Sequence, residues 1–266
     1  MISTEKGIAY AEIVAYAIAL PIAIFVIFSQ GFKKKLGWVY LGLFSTIRIA
    51  GAIYQIRSIH NPENTSDTEW SIILQSVGIS PLFMATFGLL SRTTDLISGY
   101  ARADTYEMQN GGDYKASRTK SSSSRSCFIL LMHIPTMIAL ALCIVGGIRE
   151  FSDSSSKISS GKTLTKIGIA IYVVVYIVQI FLVIITFKDY YKVPAGNARV
   201  FWAVVLANPF LAVRLFYSVM SAFTSIKSFS ILDGSPLVRL FVAIIEEFVV
   251  VILYLLAGVT APRLDR

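Results

Sequence analysis

Two adjacent glutamates, Glu246 and Glu247, lie in the otherwise apolar stretch FVAIIEEFVVVILYLLAG. Glu12, Arg48 and Arg214 interrupt other apolar stretches. A charged side chain at the centre of a membrane helix costs about 2.5–3.5 kcal/mol on insertion scales. We therefore expect these five residues to face the interior of a helix bundle and to pair with one another.

The paired glutamates could carry acid chemistry. Successive helical residues point about 100° apart, so Glu246 and Glu247 aim at different neighbours and do not form a carboxylate dyad. Three acids and two arginines leave one carboxyl over after simple pairing, and desolvation favours its neutral form. A protonated carboxyl in a dry pocket is a potential general acid. Glu246 and Glu247 are thus the candidate catalytic residues, although Arg–Glu pairs also lock helices together without chemistry.

Helical spacing extends each charge into a polar stripe, because residues three and four apart share a helix face. Counting along each apolar stretch places the charges in the outer half of the bilayer. We expect one polar pocket there, which would receive the head of an amphipathic small molecule or lipid. The candidate ligand-binding residues are Glu12, Arg48, Gln55, Arg214, Tyr217, Glu247 and Tyr254.

Several other activities are disfavoured. The two histidines, His60 and His133, belong to no Cys/His/Asp cluster with metal-ligand spacing, so we expect no metal. There is no G-x-S-x-G motif and no phosphate-binding glycine loop, and nothing in the sequence implies a cofactor. The net charge of +8 is spread as membrane topology requires, so we expect membrane lipid and small molecules as partners and no nucleic acid.

The elements that position these residues are predicted to be membrane-spanning helices. Of the 266 residues 55% are apolar and 15% are charged, and the mean hydropathy is +0.67. A span needs about 20 mostly apolar residues. Such stretches lie near residues 8–29, 36–56, 71–91, 127–148, 165–187, 200–223 and 240–258. The fold class is therefore all-α, a polytopic seven-helix membrane protein forming a single domain over residues 1–266.

The distribution of basic residues predicts the orientation. With the N-terminus outside or lumenal and the C-terminus cytosolic, the cytoplasmic segments hold more Lys and Arg than the outer ones, as the positive-inside rule requires. Lys33, Lys34 and Lys35 follow the first span in the manner of a stop-transfer signal. The Ser- and Gly-rich connection at about 92–126 is predicted to be a disordered cytosolic loop. The sequence fits an endoplasmic reticulum, other endomembrane or plasma membrane location.

Proline lies inside four predicted spans, at Pro21, Pro81, Pro135 and Pro209. Each removes a backbone hydrogen bond and frees a carbonyl, which membrane helices tolerate where packing or a wet cavity satisfies the exposed group. Kinked helices around an internal pocket are therefore expected.

Four segments resemble a family of fungal seven-span membrane proteins described only as a domain of unknown function: LFSTIRIAGAIYQI, GISPLFMATFGLLSR, NPFLAVRLFYS and the helix with paired glutamates. The resemblance covers nearly the whole chain and implies a fold and a kingdom. In size and span count the chain is also similar to RTA-like lipid-translocating exporters. A further similarity is to the membrane-integral terpene cyclases of fungal secondary metabolism, which implies an intramembrane Glu246 or Glu247 as general acid.

Three functions remain open at this point. The first is a multi-pass protein that binds or moves an amphipathic molecule or lipid. The second is a terpene cyclase-type enzyme, and the third is a structural or receptor-like bundle in which every charge is paired.

Overall fold

The computed structural model describes residues 2–30, 36–61, 63–109, 124–152, 154–190, 195–224 and 240–262. Lys33, Lys34 and Lys35, and the part of the predicted loop at 110–123, lie outside them. The helices are α1 (Ile2–Ser29), α2 (Leu36–His60), α3 (Thr65–Val77), α4 (Ile79–Gln109), α5 (Ser124–Leu131), α6 (His133–Glu150), α7 (Ser155–Lys188), α8 (Ala195–Phe223) and α9 (Ile245–Thr260). A π-helical turn, Leu240–Ile244, leads directly into α9.

Within these ranges, seven helical stretches are long and apolar enough to cross a membrane, which confirms the predicted all-α class and the seven spans. They are Thr4–Ser29, Leu36–His60, Thr65–Ser98, Ser126–Glu150, Ser155–Lys188, Ala198–Phe223 and Leu240–Thr260. The third span joins α3 to α4, and the fourth joins α5 to α6.

Two of the four prolines explain why these spans are divided. Pro81 has no N–H to donate to the Val77 carbonyl, and α3 ends at Val77. Pro135 likewise leaves the Leu131 carbonyl without its donor, and α5 ends there. Pro21 and Pro209 lie inside α1 and α8.

The predicted loop at 92–126 was wrong for its first half, because α4 continues to Gln109. Arg92, Thr93 and Thr94 are buried, and each threonine hydroxyl donates to the carbonyl four residues before it. The threonines satisfy their hydrogen bonds within the helix and Arg92 bonds to Gln30 and to the Pro262 carbonyl, so polar composition there does not require a loop.

Span three is the centre of the bundle. Its most apolar window is 83% buried inside the protein, against 28% for span one and 22% for span four, which leave most of their surface for lipid. Leu82, Phe83 and Phe87 on α4 are fully buried in the core.

Close backbone approach fixes the neighbours of this central span. Gly37 on α2 touches Gly88 on α4. On the other side, α6 and α7 form a tight antiparallel hairpin, in which a Cβ on Gly161 would lie 2.8 Å from the Gly146 carbonyl oxygen. Small residues allow this approach between membrane helices. The α6–α7 hairpin and the α3, α8 and α9 helices surround the candidate site.

Candidate functional site

Four buried charged residues from four helices converge inside the bundle. Arg48 on α2 donates through Nη2 to Glu247 Oε2 on α9, and Arg214 Nε on α8 donates to Glu247 Oε1 at 2.5 Å. Glu12 Oε1 on α1 lies 3.7 Å from Arg48 Nη1. All four side chains are at most 5% exposed. The predicted convergence of spans one, two, six and seven is therefore confirmed for four of the five charges and wrong for Glu246.

The local sequence explains why these side chains point inward. Each sits in an apolar helix, so the only way to avoid lipid is to turn the charged face toward neighbouring helices. Glu247 lies in the first turn of α9, just after the π-helical turn. Both of its carboxylate oxygens accept from arginines, so one glutamate serves two cations.

Uncharged partners complete the coordination of Arg214. Its Nη1 donates to Ser218 Oγ at 2.8 Å, and its Nη2 donates to the Gln75 carbonyl at 3.2 Å. The Gln75 side chain then donates to Gln55 Oε1 at 2.9 Å, which joins α3 to α2. The coordination of Arg48 is less complete, because its Nε has no hydrogen-bond partner among the described residues.

A cavity of about 590 Å³ lies against this cluster, within the size range of ligand sites. Both arginines form part of its wall. The other lining residues come from α3, α4, the α6–α7 hairpin and its connection, the end of α8, the residue that follows it, and the π-helical turn. They include Ile73, Gln75, Ile79, Cys143, Gly147, Glu150, Lys162, Lys166, Ile169, Tyr172, Tyr217, Ser218, Phe223 and Ile244.

The cavity follows the helix axes. Its lining residues on α7 run from Ile158 to Tyr172, which is about 21 Å at 1.5 Å per residue. Lys162 and Lys166, both exposed, lie toward the polar start of α7 and form the rim. The Lys166 ammonium sits 5.8 Å from the centre of the Phe223 ring on α8. Nearby, Thr165 donates to Glu150 Oε1 at 2.9 Å.

The charges of the inner wall balance and those of the rim do not. Arg48 and Arg214 are matched by Glu247 and Glu12, whereas the rim has two lysines and the single carboxylate of Glu150 among the described lining residues. A full negative charge brought to the inner wall would therefore be left without compensation, which is expensive in a low-dielectric interior. The rim can receive an anion, and the inner wall can donate hydrogen bonds to a neutral oxygen.

The other site residues predicted from the sequence do not all line the cavity. Tyr217 lines the cavity, and Arg214 Cζ lies 5.7 Å from the centre of its ring. Gln55 stands behind Gln75 and does not line the cavity. The Tyr254 hydroxyl is fully buried against Thr86, 2.7 Å away. Glu246 is partly exposed, does not line the cavity and has no ion pair within the described part of the chain.

Sequence reasoning missed several residues that shape this site. Gln75 was a visible signal, since an amide inside an apolar span needs a partner. Lys162 and Lys166 lie at and just before the predicted start of span five, and their spacing of four puts them on one helix face. Nothing in the sequence singled out Tyr172 or Gly78.

Comparison with known proteins gives one match. The family model described as Domain of unknown function (DUF7702) matches residues 2–109 and 113–264. No curated protein and no solved structure matches the chain.

Proposed function

This chain belongs to the DUF7702 family, and we propose that it binds an amphipathic small molecule or lipid in the cavity between the α6–α7 hairpin and α3 and α8. The observation that carries the proposal is the presence of two buried arginines, already neutralised by Glu247 and Glu12, in the wall of that cavity. If the two arginines served only to hold the helices together, they would not need to line a cavity.

The ligand lies along the cavity with its acidic group at the rim. Lys162 and Lys166 provide the uncompensated positive charge there, and the apolar side chains of Ile79 and Ile169 line the space below. The arginines at the inner wall act as hydrogen-bond donors. The expected orientation of the chain puts the rim at the outer or lumenal face, so an amphiphile reaches it from the outer leaflet.

The cyclase hypothesis has one observation in its favour, the buried Glu246 Oε2 that has no hydrogen-bond partner among the described residues. A general acid needs a proton and access to the substrate. Glu247 accepts from two arginines, and Glu246 does not line the cavity. We therefore assign a structural role to Glu247 and proton transfer to neither glutamate.

A binding measurement tests the proposal. The protein is placed in nanodiscs of zwitterionic phosphatidylcholine, and binding of radiolabelled stearic acid is compared with binding of its neutral analogue, stearyl alcohol. We expect saturable binding of the acid at one site, and weaker binding of the alcohol. The K162Q/K166Q double variant should lower the affinity for the acid about three- to tenfold.

Lys157→Gln is the matched control, because Lys157 is an exposed lysine on the same helix that does not line the cavity. It should leave binding unchanged. Non-saturable partitioning of the acid, equal in the wild type and the double variant, would overturn the proposal.

A further inference from the structure

Two buried hydroxyls that the charged cluster does not use lie at the far end of the cavity, one in its wall and one directly behind it. Tyr172 on α7 lines the cavity and is 1% exposed, and Ser80 on α4 is fully buried close by. The two hydroxyls are close enough to interact with each other, but neither makes a hydrogen bond that meets the usual distance and angle limits in the described part of the chain. Buried polar groups are almost always paired, because an unpaired one is costly.

Contacts on either side locate Tyr172 relative to the arginines. On α7 and α8, which run antiparallel, Lys166 meets Phe223 and the Tyr176 hydroxyl donates to the Asn208 carbonyl at 3.1 Å. Tyr172 lies between the two α7 positions, and Arg214 lies between the two α8 positions. The Tyr172 hydroxyl and the Arg214 guanidinium are therefore in the same part of the cavity.

The level of Ser80 follows from its position on the central span. It follows Gly78 by two residues, and the Arg48 guanidinium packs directly against Gly78. Tyr172 and Ser80 thus lie at about the same level in the bundle as the inner wall, whose charges are already balanced. A neutral oxygen suits this place better than an anion, because it can pair with the hydroxyls without adding charge.

We propose that Tyr172 and Ser80 form an oxygen-recognition subsite, and that the ligand is an amphipathic acid with a second, neutral oxygen such as a hydroxyl in its chain. This inference rests on the proposed function and specifies its ligand. The acid group binds at the rim lysines. Tyr172 lies about 9 Å from Lys166 and about 15 Å from Lys162 along α7, so the second oxygen belongs in the middle of a long chain and not beside the acid.

The test compares 12-hydroxystearic acid with stearic acid in the nanodisc assay. We expect the wild type to bind the hydroxy acid about three- to tenfold more tightly, the effect of one net hydrogen bond. Tyr172→Phe should abolish this preference, measured as the ratio of the two affinities, because it removes the hydroxyl proposed to pair with the second oxygen. Ser80→Ala should reduce the preference in the same direction.

Tyr176→Phe is the control, since the Tyr176 hydroxyl is bonded to the protein and does not line the cavity. It should keep the preference. Equal binding of the two acids by the wild type, or a preference that survives in both Tyr172→Phe and Ser80→Ala, would overturn the subsite and leave the proposed function standing. Binding of neither acid would overturn the proposed function and the subsite with it.

Discussion

The guanidinium of Arg48 lies against the backbone of Gly78, so that a Cβ built on the glycine would come within 2.8 Å of Nη2. Gly78 marks the break between α3 and α4 and has ordinary helical dihedral angles. Its role is therefore to leave space, and not to adopt a special backbone conformation. The space is filled by a cation that Glu247 holds from the other side.

Gly78→Ala should displace Arg48 and weaken its ion pair with Glu247. We expect a loss of about 1–3 kcal/mol, the usual cost of overpacking a filled site. Thermal unfolding of the purified protein in nanodiscs measures the change. Gly7→Ala is the control, because nothing lies within 4 Å of a Cβ at Gly7. A Gly78→Ala protein as stable as the Gly7→Ala protein would show that Arg48 moves aside at no cost.

Glu247→Gln should be more destabilising than Arg48→Met or Arg214→Met. The glutamine leaves two buried cations with reduced compensation, whereas each arginine variant leaves Glu247 with one partner, and Arg48→Met, which also takes the arginine from Glu12, should be the more damaging of the two. Breaking a buried ion pair from one side typically costs about 3–5 kcal/mol. The neighbouring Glu246→Gln provides the matched control and should change the unfolding temperature little, since Glu246 is partly exposed and outside the cluster.

The ranking of these variants is the readout, measured by thermal unfolding under one set of conditions. If Glu246→Gln proved as damaging as Glu247→Gln, the assignment of the bridging role to Glu247 would be incorrect.

Much of the fold could be predicted because the hydropathy of the sequence indicates where the membrane-spanning helices lie. Each of the seven predicted spans overlaps an observed one, and the errors lie at the ends. Span five was expected to begin at residue 165 but begins at Ser155, because the polar first turns of α7 project beyond the apolar part. The extension of α4 to Gln109 was missed because the sequence there is polar, although the hydroxyls of Thr93, Thr94 and Ser98 each bond to the carbonyl four residues before them.

Of the site, only the buried charged residues could be predicted from the sequence. Four of the five intramembrane charges converge, since lipid leaves them no alternative. Tyr254 shows the limit of reasoning by periodicity: it shares a helix face with Glu247 but lies about 10 Å further along α9, where its hydroxyl meets Thr86. Helical spacing predicts the direction in which a side chain points. Which residues it meets depends on its level along the helix and on the helices that pack there.

A second polar cluster stabilises the opposite end of the bundle. Gln30 donates to the carbonyls of Gly258 and Ala261 at 2.7 and 2.9 Å, and its own oxygen accepts from Arg92 at 2.7 Å. Gln30→Leu should lower stability by about 1–3 kcal/mol, because three buried groups lose their partner. Binding of stearic acid should be unchanged, since none of these residues lines the cavity.

Thr260→Val is the control at the same end, because the Thr260 hydroxyl bonds only to carbonyls of its own helix. We expect it to be nearly neutral in thermal unfolding. If the Gln30→Leu protein unfolded at the same temperature as the Thr260→Val protein, the cluster would add nothing to stability.

The most direct test of the account is photolabelling of the protein in nanodiscs with stearic acid that has a diazirine in mid-chain, followed by mass spectrometry of the labelled residues. Occupation of the cavity predicts labels on Ile79 and Ile169, which decrease with excess unlabelled 12-hydroxystearic acid and in the K162Q/K166Q protein. Labels confined to lipid-facing side chains such as Ile177 and Phe181, unaffected by the competitor, would contradict it.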